Sequence, residues 1–307
     1  MSLTDDLLAL LAPHLDRPLV VVDVGARWGC GEGWAALQDK IMVYGVEPDA
    51  EECARLQRIA PSGVRYVPAA FSDSNGRRTL HITQEPACSS LIAPDPVLSR
   101  SFAELECMAE IGSSEIEVER LDDWAGREGV DQIDAIKVDV QGEELNVLRG
   151  SGDHLDGVVA LDVEVEFNPL YEGQPLFGDV DRYLRGRGFS LWRLRQLVHY
   201  SPAELPGPAL PVSDTQIYDS RPGAASHGGG QLYWSMATYV RTEHTFGSVE
   251  PVSADAAIRA AAAALGFGAI DFALTVLHRA AAGPDGPTVA PVLEALRRAS
   301  GLEAPAS

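Results

Sequence analysis

The run Leu19-Val20-Val21-Val22-Asp23-Val24, closed by Gly25, constrains the fold more than any other stretch. It is almost wholly aliphatic and β-branched, with no polar alternation. Such a run reads as a strand buried on both faces, as in a parallel sheet. Ile41 to Val46 is a second strand, a helix follows through Glu51 to Ile59, and Val64 to Ala69 is a third strand. The turn Asp73-Ser74-Asn75-Gly76 predicts a hairpin arm over Arg77 to Thr83. Residues 84 to 114 contain Pro86, Pro94 and Pro96 and read as a partly helical, lid-like excursion. Strands are then expected at 115–120, 133–138, 158–167, 189–194 and 231–240, with helices at 121–128, 143–149 and 177–187. Residues 200 to 230, rich in Pro, Gly and Ser, are expected to be an irregular loop. Strands alternating with helices give an α/β fold of three layers.

Composition shifts at either end. Leu7, Leu8, Leu11 and Leu15 recur at helical spacing, so residues 1–18 read as an amphipathic entry helix before a domain at 19–245. Residues 251–300 read as a helical appendage of three helices, at 253–265, 268–281 and 288–299, with Ser253 as the first N-cap. Its face Ile270, Leu274, Leu277 suits a neighbouring helix, for stability, for a homodimer or for docking a partner.

The formal charge of −21, with only two lysines, Lys40 and Lys137, argues against nucleic acid, whose phosphates demand clustered cations. No polybasic run suggests an anionic membrane, and the apolar stretch Ala260 to Leu265 is too short to span one. The acidic start lacks the basic region of a secretory signal. Cys30, Cys53, Cys88 and Cys107 form no C-x-x-C pair and read as reduced thiols. Together these predict a cytoplasmic location.

The segment Asp23-Val24-Gly25-Ala26-Arg27-Trp28-Gly29 ends the first strand, where glycine lets a ligand approach the backbone amides. Glu47, followed by Pro48 and Asp49, ends the second strand 18 residues after Gly29. An acid at that distance is placed to accept the ribose hydroxyls of an adenosine-containing cofactor. Gly25, Gly29 and Gly31 also spell the G-x-x-x-G-x-G loop of short-chain dehydrogenases. Neither lysine has the required tyrosine four residues earlier, so a nicotinamide-dependent dehydrogenase lacks its proton donor. P-loop, zinc-protease and G-x-S-x-G hydrolase motifs are absent from the sequence.

The fourth strand carries Lys137-Val138-Asp139-Val140-Gln141-Gly142-Glu143-Glu144-Leu145, then Val147-Leu148-Arg149-Gly150. This resembles the K-(I/V)-D-(V/I)-E-G-x-E-x-x-V-L-x-G pattern of FkbM-type S-adenosylmethionine-dependent methyltransferases. Asp23 to Ala26, Glu47-Pro48, Ser89-Ser90-Leu91, Leu121 to Trp124 and the block from Asn168 to Phe177 continue the likeness, over roughly residues 19–241. Gln141 stands where glutamate is usual and Arg27 where asparagine is usual. The resemblance implies a Rossmann-like three-layer sandwich of the class I methyltransferase type, here with a C-terminal α-helical appendage. It implies S-adenosylmethionine as cofactor and O-methylation of a hydroxyl on a sugar, glycan or secondary metabolite.

On that footing Asp23 and the turn Gly25, Ala26 and Gly29 sit beside the cofactor's amino-acid part. Glu47 and Pro48 hold the ribose, and Ala70-Phe71-Ser72-Asp73 flank the adenine. Asp139 is the first candidate base, Glu164 the second and His199 an alternative; His81 and His154 read as structural. Each has a plainer alternative. Glu47 and Asp139 could serve only the helices that follow them. Asp162, Glu164 and Glu166 share one face of a strand and could be a solvated face. A divalent cation on Asp139 and Glu164 is a weaker alternative to no metal. Lys137 is expected to hold a carboxylate, and Arg193 with Arg195 either a substrate acid or nothing but water. The rival to an enzyme is a non-catalytic binding module on the same fold.

Overall fold

The aliphatic runs become strands because only a sheet covered on both sides buries them. β1 is Leu19–Val24, β2 Ile41–Val46, β3 Val64–Val67, β4 Gly76–Thr83, β5 Glu110–Val118, β6 Ala135–Val138, β7 Ala160–Glu166, β8 Phe189–Tyr200, β9 Ile217–Asp219 and β10 Gln231–Arg241. This computed structural model describes residues 2–30, 32–200, 217–219, 231–245 and 252–301; Gly31 and most of the expected loop at 200–230 lie outside them. Eight strands form one sheet in the order β3-β2-β1-β6-β7-β10-β8-β9. β3, β2, β1, β6 and β7 run parallel, and β10 is antiparallel to β7 and to β8.

Helices cover both faces. On one lie α4 (Leu121–Glu128), α5 (Glu144–Gly150), α6 (His154–Gly157) and α7 (Phe177–Gly186), around a core with Val22, Val24, Trp124, Ile136, Leu148, Leu161 and Leu184. On the other lie α1 (Leu3–Leu11), a 3₁₀ segment at Glu32–Lys40 and α2 (Ala50–Ile59). The C-terminal helices α8 (Ala254–Gly266), α9 (Ile270–Ala281) and α10 (Gly286–Ser300) join them on that face, in a core with Leu8, Leu19, Val21 and Val43. The appendage expected from the sequence therefore lies on the sheet itself. The α8 alanines 260 to 264 are fully buried; so small a side chain lets the helix lie close. Gly266 is required where it sits, since a Cβ there would come within 1.9 Å of the Trp34 ring. Leu277 is buried, and Ile270 and Leu274 pack on the same core. The apolar face from which a homodimer was expected is thus used inside the chain.

A buried ion cluster fastens these layers at the edge remote from the strand ends that build the site. Asp134, just before β6, accepts from Val20 N at 2.8 Å and from Arg17 at 3.0 and 3.1 Å, and pairs with Arg259 of α8 at 2.5 Å. Removing one partner would strand a buried charge, which typically costs about 3–5 kcal/mol.

The expected hairpin arm is corrected. β4 pairs antiparallel with β5, from Gly76 opposite Val118 to Thr83 opposite Glu110, in a ribbon separate from the main sheet. The polar turn before β4 leads the chain away, and residues 84–109 bring the partner strand back through 3₁₀ turns at Pro86–Cys88 and Ala103–Met108 and the short α3 (Leu98–Ser101). Phe102, Leu105 and Met108 seat this excursion on Leu170, Tyr171, Tyr200 and Tyr233. Among the described residues no helix is long and apolar enough to cross a membrane.

Candidate active site

Parallel strands deliver their carboxyl ends to one edge, and the chain breaks out of the sheet there. β1 and β6 are neighbours in register, Asp23 opposite Lys137 and Val24 opposite Val138, and Asp139 N donates to Val24 O at 3.0 Å. Just beyond, the backbone of Gly25 passes so close to Asp139 that a Cβ at Gly25 would fall 1.8 Å from the Asp139 carbonyl oxygen. Its φ of +89° disfavours any side chain as well. Glycine is obligatory here because two strand ends meet. The N–H groups of Gly25 and Ala26 both donate to Val46 O at 3.0 Å. They tie β1 to β2 and are not offered to a ligand.

Two cavities open on either side of Asp139, which lines both. The first, about 400 Å³, is within the usual size range of small-molecule sites. It lies among the ends of β1, β2 and β3, the turn after β6 and the inner face of the ribbon. Gly25, Glu47, Pro48, Ala70 and Phe71 line it, with Asp49 and Gln141. Leu80, Ile82, Ser114 and Ile116 of the ribbon and Pro86, Ala87 and Ser89 to Leu91 of the excursion form the opposite wall. Glu47 is only 3% exposed. Its Oε1 accepts from Asp49 N at 2.8 Å and from Arg27 Nη1 at 3.5 Å; Oε2 makes no hydrogen bond among the described residues. Burial raises its pKa against the opposing pull of Asp49 N–H and Arg27.

The second cavity, about 910 Å³, lies on the face that carries α1 and α8. Asp23, Trp28, Gly29, Lys137, Asp162, Arg193 and Arg195 line it, and the turn Gly266-Phe267-Gly268 closes one side. Asp23 and Gly29 therefore line this second cavity and not the first. Lys137 Nζ lies 3.4 Å from Asp23 and 3.3 Å from Asp139. Burial pulls the ammonium pKa down, but those two carboxylates outweigh it and the net shift is upward. Burial likewise raises the pKa of Asp23, with Lys137 opposing.

The three carboxylates of β7, weighed as a solvated face, are all buried. Asp162 pairs with Arg195 and accepts from Thr238 Oγ1 at 3.0 Å. Glu164 accepts from Gln141 Nε2 at 2.8 Å. Glu144, Glu164 and Glu166 hold carboxylate oxygens within 4.8 Å of one another. Glu144 also accepts from Val140 N at 2.9 Å and from Gly142 N. Burial raises Glu164 and Glu166 well above the ordinary range and Glu144 up to about 7, favouring protonated carboxyls that can sit side by side.

Gln141 connects this cluster to Asp139. Its Nε2 reaches Asp139 Oδ1 at 3.1 Å as well as Glu164, and its Oε1 accepts from Tyr171 Oη at 3.0 Å. Its φ of +62° is left-handed, which costs a residue with a side chain about 1–2 kcal/mol. Ser90 Oγ holds that backbone by donating to Gln141 O at 2.7 Å. The sequence marked Gln141 only as a departure, while Tyr171 lay unremarked inside the Asn168–Phe177 block.

Of the remaining candidates, Ala26 lies in the core and lines neither cavity. Ser72 is fully buried and donates to Glu143 Oε2 at 3.1 Å. Glu164 and His199 also line neither.

The sequence from residue 23 to 191 matches the family model described as the methyltransferase FkbM domain. The chain belongs to that family. A curated relative, the 2-O-methyltransferase NoeI of Sinorhizobium fredii, is 31% identical over 171 residues, which span 52% of this chain and 69% of NoeI. Among solved structures, a TehB-like SAM-dependent methyltransferase from Corynebacterium glutamicum aligns at 12% identity and TM-score 0.32, covering 77% of this chain and 87% of that one. The 1,6-didemethyltoxoflavin-N1-methyltransferase of Burkholderia thailandensis aligns at 14% and 0.32, covering 78% and 79%. Membership in the FkbM family makes the chain an S-adenosylmethionine-dependent methyltransferase, and its mostly parallel sheet covered on both faces is the Rossmann-like α/β fold. Membership in the FkbM family leaves no place for the dehydrogenase alternative.

Proposed function

We propose that the first cavity holds S-adenosylmethionine and that the enzyme methylates a hydroxyl of a small-molecule or glycan acceptor. The observation that carries this reading is the buried Glu47, whose unengaged Oε2 lines a cavity of cofactor size. Oε2 is the accessible oxygen of an otherwise buried carboxylate, and a ribose diol supplies two donors for it. Pro48, Ala70 and Phe71 offer apolar contact to an adenine. When bound, S-adenosylmethionine supplies a methyl group on a cationic sulfur. NoeI, by its name, methylates an oxygen, and this supports oxygen as the acceptor atom here.

Asp139 is the proposed base, since it borders both cavities and so reaches the line between donor and acceptor. Lys137 and Gln141 each hold one of its oxygens. They fix the carboxylate's direction as it takes the hydroxyl proton. Alignment and exclusion of water supply the rest of the acceleration.

The test is calorimetry with S-adenosylhomocysteine. Saturable binding by the wild type, weakened roughly ten- to a hundredfold by Glu47→Ala, is expected from the loss of charge-assisted hydrogen bonds. No saturable binding by the folded wild type would refute the assignment of the first cavity.

A further inference from the structure

The second cavity is divided by charge. At the end beside the first cavity, Lys137 is shared between two carboxylates, Asp23 and Asp139. At the far end, Asp162 pairs with Arg195, while Asp5 and Arg55, on the same lining, are taken up by Ser2 and Glu52. Among the described residues no carboxylate lies within ion-pair distance of Arg193. Arg193 Nη2 donates to Phe267 O at 3.0 Å, and Nε of both arginines is buried without a hydrogen-bond partner. One end thus carries a surplus negative charge and the other a surplus guanidinium. Two arginines on one strand repel each other, and burial together with Arg195 lowers the pKa of Arg193. In a chain of net charge −21, a guanidinium lining a cavity with no carboxylate of the described residues paired to it is suited to an anion from outside. Trp28, 76% exposed, lines the same cavity and offers an apolar face of the kind on which the C–H face of a sugar ring packs.

We propose that this cavity is the acceptor site and that it takes a hydroxylated compound, a sugar acid or sugar phosphate, whose anionic oxygens are held by Arg193 and Arg195. The hydroxyl to be methylated then faces Asp139 at the opposite end, and the ring lies toward Trp28. The arrangement explains why the C-terminal helices matter to the site. The carbonyl that orients Arg193 belongs to the turn between α8 and α9. This proposal rests on the assignment of the cofactor to the first cavity.

The experiment uses the full chain saturated with S-adenosylhomocysteine. Calorimetry is run with D-glucuronate, D-glucose 6-phosphate and inorganic phosphate, and with methyl α-D-glucoside as the neutral control. At least one anion is expected to bind and the glucoside not to. Arg193→Gln should weaken that anion by about tenfold, as expected for one charge-assisted contact, and Arg193→Lys by less. Glucuronate or glucose 6-phosphate as the tighter ligand separates a carboxylate from a phosphate acceptor. In the wild type, the bound anion should shield Arg193 from phenylglyoxal, read by peptide mass spectrometry; this arm does not depend on a variant's folding. Equal binding of the glucoside, an unshielded Arg193, or no anion bound while S-adenosylhomocysteine still binds would each overturn the proposal. Loss of S-adenosylhomocysteine affinity in Arg193→Gln, equal to the loss for the acids, would give the arginines to the cofactor's own carboxylate and overturn it too. Failure of S-adenosylhomocysteine to bind the wild type would instead refute the cofactor assignment.

Discussion

On one side of Asp139 the wall is valine, alanine, proline, phenylalanine and isoleucine around two buried carboxylates, Glu47 and Glu143. On the other it is four aspartates, a lysine and three arginines, engaged in ion pairs or hydrogen bonds. The first cavity is made by the N-terminal half of the chain: three consecutive strand ends, one turn and the ribbon of β4 and β5. The second needs β8, β10 and the α8–α9 turn as well. A site for a fixed ligand can be built from local geometry and shape. A site for a particular acceptor is built from charges that must be paired until the ligand arrives, and the partners come from distant parts of the chain.

That contrast can be broken at its hinge. Gly25→Ala should have the largest effect, since its Cβ has no room against Asp139 and the backbone is left-handed. A loss of roughly 4 kcal/mol or more in urea unfolding is expected, with no measurable S-adenosylhomocysteine binding. Retained affinity would mean that the two strand ends do not need to touch. Asp139→Asn comes next. It should lower kcat about 10²- to 10⁴-fold while S-adenosylhomocysteine affinity changes little, which single-turnover methyl transfer would read. An equal loss of both would move Asp139 from the chemistry to the cofactor. Glu47→Ala, which should cost binding and leave the acceptor cavity intact, sharpens the contrast from the other side. Anion affinity in that variant should match the wild type.

The smallest effect concerns the carboxyl cluster behind Gln141. Burial raises the pKa of Glu164, with Asp139 adding to the rise. A raised carboxyl favours the fold while protonated. Its contribution is complete below the ordinary glutamate range and fades as the pH climbs from there through the raised native value. Thermal unfolding followed from acid to alkaline pH should show this decline, and Glu164→Gln should flatten it. An unchanged slope would show that the cluster does not hold its protons.

Much of the first cavity's lining was readable in advance, because its signals are local. The aliphatic runs announced β1, β2 and β3; Gly25 and Glu47 stood at strand ends, and both line the first cavity. What misled was long-range. Nothing near Arg77–Thr83 indicates that its partner lies beyond residue 109. Asp162, Glu164 and Glu166 alternate as a solvated face would. Their burial comes from side chains of other elements: Arg195 and Thr238 against Asp162, Gln141 against Glu164, and Glu144 beside Glu164 and Glu166. Ala26 and Ser72 were drawn to the site by motif position, yet their side chains point into the protein. Period and spacing do not say which of two buried directions a residue takes.

The meeting of Gly266 with the Trp34 ring has a temporal meaning for the living cell. A ribosome that has made the chain through β10 has finished every wall of the chamber assigned to the methyl donor. The neighbouring chamber still lacks the turn that steadies Arg193, which is made only after β10. The walls of the two chambers are therefore completed at different points of synthesis.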